Sequence, residues 1–595
     1  MVRQAAAHGM KMVPVEPGQV QLGGEMGRRI RVTIEANLLA LDVDTVFLQP
    51  FRQRDRTEGY IGLGKLIDAT VRLAAYSGDP RVVALKQRLV SAAIGLQEAD
   101  GYVGMLVPAS RIWGVYDIHE TAHIVLGLAN DHRYFGEPSS LAAARRLADY
   151  VLDGWSAQAQ RIPGPSGRRG QMYGVTTGLD AALLTLYEQT AEARYLDFML
   201  TSPHYQLPRW NVAPKIGYEH MDDERHCYIF MALCVAQLQL HGLQPDPRLL
   251  AQAHLAVQFL RDRQGHLVSG SCSQNEGWHS DQCGAGHVSE SCATAYLLRL
   301  LDRLFRWEGD PLYGDLAERA MYNALFAAQS PDGRQLRYFT PTEGPRTYFD
   351  RDTFCCPNNF RRIVSEMPGM VYFRTGRGVA VNHYTASTVN LTVGDEELPL
   401  TLRQETDYPG SGQVLLRVHP SRPAVFPLHL RLPRWCPQPR ITVNDAPVAL
   451  PAQRGALLAV EREWRAGDRV QIEFPMAWRW VRGRALQQGR AALLRGPVLY
   501  CLNPSRNPVV AGLNLRELTI DPGSVGEAIT DEAVRPGGRA CRVLAWSPGS
   551  CTPGTPPDLE LLLTEFADPG GEASHLRLPA AQGHVAVDDE LIATV

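Results

Sequence analysis

A chain of 595 residues is longer than one hydrophobic core serves, so two to four domains are expected. A formal net charge of -3 with no basic stripe gives nucleic acid no electrostatic foothold. No run approaches the roughly 18 consecutive apolar residues of a membrane span, and no apolar signal core follows Met1, so neither membrane insertion nor secretion is expected.

The first part of the chain carries helical periodicity. Leu141, Ala144, Ala148, Val151 and Trp155 make one buried stripe, and Leu297, Leu300, Leu301, Leu304 and Phe305 make another. Gly78-Asp79-Pro80, Gly136-Glu137-Pro138 and Gly309-Asp310-Pro311 each separate two such stretches. In these triplets Gly suits a left-handed helix end, the acidic residue can cap the next helix, and Pro fits its first turn. Repeated helix–turn–helix units of irregular spacing predict a closed (α/α) barrel rather than a strict solenoid.

Near residue 375 the period shortens to two. Val414, Leu416 and Val418 alternate, as do Ile441 and Val443, then Val470, Ile472 and Phe474, with Asn444-Asp445 and Gly467-Asp468 as turns. The expected fold is a multidomain α+β protein: an N-terminal (α/α)₆ barrel over residues 1–375, an antiparallel β-sandwich over 376–502, and a C-terminal β-rich region over 503–595.

Eleven cysteines, odd in number and scattered, read as reduced thiols in a cytoplasmic protein. Four residues stand out: Glu290, Cys292, Cys355 and Cys356 offer one carboxylate and three thiols, a full ligand set for one tetrahedral Zn²⁺. Metal coordination removes a thiol proton, so one of these cysteines is also a candidate nucleophile. The competing reading is a closed structural zinc clip. Cys272 and Cys283 are runner-up ligands, Trp278 reads as a packing aromatic, and Asp222, Asp223 and Glu224 read as a solvated turn.

Several phrases recur in order with a known family: Trp113-Gly114-Val115-Tyr116-Asp117-Ile118-His119, Glu290-Ser291-Cys292-Ala293, Glu318-Arg319-Ala320-Met321-Tyr322-Asn323, Cys355-Cys356-Pro357-Asn358-Asn359 and Arg495-Gly496-Pro497-Val498-Leu499-Tyr500. On these the chain resembles glycoside hydrolase family 127, the β-L-arabinofuranosidase-like enzymes. The resemblance implies a retaining exo-glycosidase with Cys355 as nucleophile and Glu276 as acid/base. It implies Zn²⁺ on Glu290, Cys292, Cys355 and Cys356, and a sugar held by His119, Glu318, Tyr338 and a histidine that is either His220 or His226.

One departure bears on the sugar pocket. Where the family usually reads Gly-His-Tyr, this chain has Gly64-Lys65-Leu66. If Lys65 reaches the sugar, its ammonium favours an acidic substrate; otherwise it points to solvent. The expected partner is a carbohydrate, with a terminal β-L-arabinofuranoside or related sugar as substrate and the oligomeric state left open, a homodimer included. Two other functions compete: an inverting hydrolase or lyase using carboxylates alone with a structural zinc, and a non-catalytic carbohydrate-binding scaffold. Structurally ordinary readings compete residue by residue: a core histidine at 119, a salt-bridged helix face at Glu318, a surface loop at Glu276.

Overall fold

The computed structural model describes residues 9–158, 176–201, 226–262, 264–451 and 453–593. Two compact units emerge, each assembled from separate stretches of chain. One combines Ile30–Ala256 with Asp350–Met367; the other combines Lys11–Arg29, Val257–Phe349 and Pro368–Val595.

The first unit is helical. Its elements used below are α1 (Leu63–Ser77), α2 (Pro80–Gly95), α3 (Asp117–Phe135), α4 (Pro138–Gln158), α5 (Leu179–Thr190), α6 (Ala193–Thr201) and α7 (Cys227–Leu243). Consecutive helices pack as neighbours: α1 on α2 and α3, α3 on α4 and α5, and α5 on α6 and α7. The punctuation works as its residue types require. Gly78 closes α1 at φ 61, the Asp79 carboxylate accepts from the Arg81 N–H at the start of α2, and Pro80 takes the first helical position. Gly136 closes α3 at φ 73 in the same way.

α1 and α3 approach closely at Gly64. A Cβ there would stand 2.2 Å from the His123 carbonyl carbon, so only glycine lets the two backbones meet. Beneath the contact, Asp68 on α1 has no solvent exposure. Its carboxylate accepts from Arg72 Nε (2.9 Å), Asn130 Nδ2 (2.8 Å) and Arg362 Nε (2.7 Å). Burial alone would raise the Asp68 pKa, but the two guanidinium groups and the amide outweigh it and hold the carboxyl well below its usual range.

The second unit holds α8 (Ser291–Glu308), α9 (Pro311–Ala320) and every named strand. Gly309 ends α8 at φ 67 and the Asp310 carboxylate caps α9 by accepting from the Leu312 N–H. A five-stranded sheet runs Val13–Pro14, Tyr372–Arg374, Val379–Val381, Ala424–Arg431 and Leu457–Trp464. A seven-stranded antiparallel sheet includes Gln413–Pro420 beside Asp468–Glu473, with Val414 opposite Ile472 and Leu416 opposite Val470. These four side chains are buried while alternate positions along each strand are less so, the period-two pattern of a half-covered sheet. Asn444 and Asp445 adopt φ 49 and φ 68 in the tight hairpin turn joining Arg440–Val443 to Ala446–Pro447.

A third sheet, eight-stranded, begins at Trp478–Arg482 and ends at His575–Arg577. Its strand Val498–Leu502 pairs with Arg490–Arg495 on one side and Leu559–Glu565 on the other, so hydrogen bonding runs across residue 502. Strand pairing depends on partners distant in sequence, which alternation within one strand does not report. Among the described residues no helix is long and apolar enough to cross a membrane, and no disulfide joins any of the eleven cysteines.

Candidate active site

The Cys355-Cys356 pair opens α10 (Cys355–Glu366), a helix of the first unit. Its entry is strained. Phe354, at the N-cap, has φ 83 and ψ 174, a conformation that glycine adopts readily and a phenylalanine does only when its surroundings fix it. The fixing contacts are present. The Phe354 N–H donates to the Ile61 carbonyl (3.2 Å), and Asn358 Nδ2 donates to the Phe354 carbonyl (2.8 Å). One turn on, Arg361 donates to Asn37 Oδ1 (2.7 Å), to the Asp352 carbonyl (2.8 Å) and to Asn358 Oδ1 (2.9 Å). Arg362 is the residue that reaches Asp68, so α10 is tied to α1 from beneath. Cys355 thus sits at a helix N-terminus, where the backbone N–H groups and the helix dipole favour a thiolate.

Glu290 and Cys292 sit at the start of α8 in the second unit. The Glu290 N–H donates to Ser273 Oγ (3.0 Å), and the Ser291 N–H donates to the Tyr338 carbonyl (2.8 Å). The four residues singled out as ligands come together: one atom each from Glu290, Cys292, Cys355 and Cys356 lies within 4.8 Å of the others. This group could hold a metal ion. Glu290, Cys292 and Cys356 are buried, whereas Cys355 is partly accessible. Neither Cys272 nor Cys283 joins a metal-competent group among the described residues.

Glu276 is carried by a two-residue turn. Gln274 and Gly277 exchange backbone hydrogen bonds of 3.0 Å in both directions, and Asn275 (φ 46) and Glu276 (φ 66) form the left-handed tip. The turn is held in place by the Asn275 N–H on the His287 carbonyl (2.8 Å). It presents the Glu276 carboxylate to Tyr338, whose hydroxyl donates to Oε1 at 2.7 Å. Glu276 is therefore not a free surface loop residue. His226, Glu276 and Glu290 also bring one ligand-type atom each within 4.8 Å. His220, the alternative to His226, lies outside the described residues, as do Asp222, Asp223 and Glu224.

His119 is on the first turn of α3, buried, with its ring edge-on to Tyr60 at 4.6 Å between centroids. The next residue, Glu120, accepts from the backbone N–H groups of Ile61 (2.9 Å), Gly62 (2.7 Å) and Gly64 (3.3 Å) at the N-terminus of α1. Burial raises its pKa, and those three donors pull it partly back. Lys65 does not point to solvent: its exposure is 0%, and its Nζ donates to the Tyr228 hydroxyl at 3.2 Å.

Glu318 has a different environment. It is 1% exposed, and its carboxylate accepts from the Tyr408 hydroxyl (2.8 Å), Arg431 Nη2 (2.7 Å) and Trp435 Nε1 (3.2 Å). The salt-bridged alternative weighed from sequence is thus present in buried form, reaching from α9 to the β-strands of the same unit. Trp278 packs edge-on against Phe259 at 5.6 Å, the packing role expected of it. Sequence reasoning passed over Tyr60 and Tyr228, which touch His119 across long sequence gaps and carry no motif of their own.

Residues 49–369 match the model of the beta-L-arabinofuranosidase GH127 catalytic domain, and residues 378–476 match the GH127 middle domain. A non-reducing end beta-L-arabinofuranosidase of Bifidobacterium longum is 24% identical over 512 residues, covering 75% of each chain. A GH127 beta-arabinofuranosidase structure superposes with a TM-score of 0.79 at 21% identity, covering 96% of this chain and 99% of that one. A GH127 beta-L-arabinofuranosidase from Geobacillus stearothermophilus T6 gives 0.77 at 21% identity, covering 94% and 100%. At these identities the structures establish a shared fold.

Proposed function

The chain belongs to the GH127 beta-L-arabinofuranosidase family of glycosidases, and from that premise we propose that it is a retaining exo-hydrolase releasing terminal β-L-arabinofuranose, with Cys355 as nucleophile and Glu276 as acid/base. The helical part is then an (α/α)₆ barrel. The observation that carries the reading is the uneven burial of the ligand group. A structural clip closes all its donors away from solvent, whereas here Cys355 alone remains partly accessible while Glu290, Cys292 and Cys356 are buried.

The donor set fits Zn²⁺. Ligand atoms around a tetrahedral zinc with Zn–S of about 2.3 Å stand roughly 3.8 Å apart, in keeping with four atoms within 4.8 Å of one another. Glu290, Cys292, Cys355 and Cys356 would hold the ion, which when bound keeps the Cys355 sulfur deprotonated at neutral pH, where a free thiol of pKa about 8.5 is mostly protonated.

The protein's own groups then divide the chemistry. The Cys355 sulfur attacks the anomeric carbon as the glycosidic C–O bond breaks, and the Glu276 carboxyl gives its proton to the departing oxygen. In the second half Glu276, now a carboxylate, takes a proton from water as that water attacks the anomeric carbon. The C–S bond breaks and the thiolate returns. The Tyr338 hydroxyl on Oε1 fixes which Glu276 oxygen faces the leaving group. His119, Tyr338 and His226 are assigned to the sugar hydroxyls, and Lys65 to a place behind them. Glu318, with its oxygens engaged by Tyr408, Arg431 and Trp435, is assigned to holding the β-strands against α9.

The test is a zinc-loaded Cys355→Ala protein assayed on a nitrophenyl β-L-arabinofuranoside beside other nitrophenyl glycosides. Loss of turnover even at saturating zinc, which offsets the weaker metal binding that follows from losing one of four donors, and a glycosyl adduct on Cys355 of the wild type by mass spectrometry, are expected. Turnover of Cys355→Ala at the wild-type rate would give the nucleophile's role to another residue. Turnover with inverted anomeric configuration would favour the carboxylate-only mechanism.

A further inference from the structure

Lys65 lies on the first turn of α1 among an unbroken series of buried residues from Leu63 to Val71. A buried ammonium is costly unless its donors and its charge are met. Its Nζ donates to the Tyr228 hydroxyl at 3.2 Å. It also stands 5.0 Å from the centroid of the Tyr228 ring and 5.3 Å from that of Tyr60, within cation–π range of both. The Glu120 carboxylate, at the N-terminus of the same helix, supplies opposite charge.

The chain of contacts continues. The Tyr228 hydroxyl oxygen is 3.4 Å from His119 Nε2, and the His119 ring sits between Tyr60 (4.6 Å) and His123 (4.9 Å). All of these residues belong to the helical unit. An ammonium has donors only, so it occupies a lone pair of the Tyr228 oxygen. In doing so it polarises the O–H bond, making the hydroxyl a stronger donor and a poorer acceptor. The second partner that suits such a hydroxyl is a bare ring nitrogen.

We propose that Lys65 is a positioning residue which, through the Tyr228 hydroxyl, fixes His119 as the neutral imidazole with its proton on Nδ1 and Nε2 accepting. His123 supports the same turn: its Nδ1 is 2.8 Å from the His119 carbonyl, which can only accept, so Nδ1 carries the proton. Burial, with the Lys65 charge adding to it, holds the His123 pKa well below the usual histidine value and keeps that ring neutral. With Nε2 committed to Tyr228, His119 presents one N–H donor, suited to a hydroxyl oxygen of a neutral sugar. That last step rests on the glycosidase reading above; the tautomer does not.

The experiment is long-range ¹H–¹⁵N correlation spectroscopy on histidine-labelled full-length protein without substrate, with His119→Gln used to assign the signal. The expected wild-type spectrum shows the Nδ1–H tautomer for His119. Tyr228→Phe and Lys65→Met are each expected to move it toward the Nε2–H form while the other histidine signals stay in place. An Nε2–H wild type, or an unchanged His119 signal in Tyr228→Phe, overturns the proposal. A shift in Tyr228→Phe with none in Lys65→Met removes Lys65 from the role and overturns it as well. For turnover, one hydrogen bond predicts a KM rise of roughly 3- to 10-fold in Tyr228→Phe with kcat within about twofold. A tautomer that shifts while KM stays constant would leave the Lys65 relay standing and refute sugar binding by His119.

Discussion

Replacing Asp68 with Asn tests whether α10 is anchored from beneath. The native carboxylate accepts three donors: Arg362 Nε at 2.7 Å, Asn130 Nδ2 at 2.8 Å and Arg72 Nε at 2.9 Å. Asn offers one acceptor oxygen, and its amide turns N–H groups toward a guanidinium that also donates. The Arg362 side chain is only 6% exposed and Asp68 is fully buried, so the guanidinium loses its carboxylate where water does not readily take its place. Breaking a buried pair from one side costs about 3–5 kcal/mol, which lowers the folding equilibrium constant at least a hundredfold.

Urea unfolding of Asp68→Asn, Arg362→Met and the double variant forms a cycle. The double variant is expected to be less destabilised than the two single losses summed, because the Asp68–Arg362 pair is lost once but counted in both single changes. The penalty is also pH-dependent. Asp68 has a depressed folded-state pKa, so its contribution is fully present above the unfolded carboxyl value of about 3.9 and fades as pH falls below it. A loss under about 1 kcal/mol at pH 7, or additivity of the two single changes, would refute the anchoring argument.

Elemental analysis of metal-replete protein is expected to find one zinc per chain, and Cys356→Ala to lose it, since a missing thiolate leaves three donors for a four-coordinate ion. Full zinc occupancy in Cys356→Ala would place the metal elsewhere. Tyr338→Phe removes the hydroxyl that donates to Glu276 Oε1 at 2.7 Å; a hydrogen bond that strengthens as Glu276 gives up its proton predicts a fall in kcat/KM of about tenfold or more, and an unchanged kcat/KM would detach Tyr338 from the acid/base. Asp117 behaves oppositely to Asp68 with pH. Burial pushes its pKa up to about 6, against pull from the Ile112 N–H and the Tyr102 hydroxyl. Between pH of about 4 and 6 the folded state keeps a proton that the unfolded chain releases, so stability falls as pH rises through that window. Wild type compared with Asp117→Asn by urea unfolding is therefore expected to fare better at pH 4.5 than at pH 7, and a pH-independent difference would contradict the raised pKa.

Much of the local structure was legible in the sequence because its causes are local. Gly78-Asp79-Pro80 and Gly309-Asp310-Pro311 end one helix and cap the next through groups a residue or two apart, and Val414, Leu416 and Val418 face one way because a strand alternates. Glu290, Cys292, Cys355 and Cys356 were legible as candidate ligands for a chemical reason: three thiols and a carboxylate suit one ion wherever the chain puts them. Tertiary structure decided what each group faces. It left Cys355 accessible and buried Cys356, its immediate neighbour, because the first turn of α10 aims adjacent side chains in different directions. It turned Glu276 toward Tyr338 through a left-handed pair that a polar Ser/Gln/Asn run does not announce. Lys65 was sent inward to Tyr228 and Glu318 given to Arg431, Tyr408 and Trp435. Those partners lie far away in sequence, and burial and partner choice follow from contacts that only folding brings about.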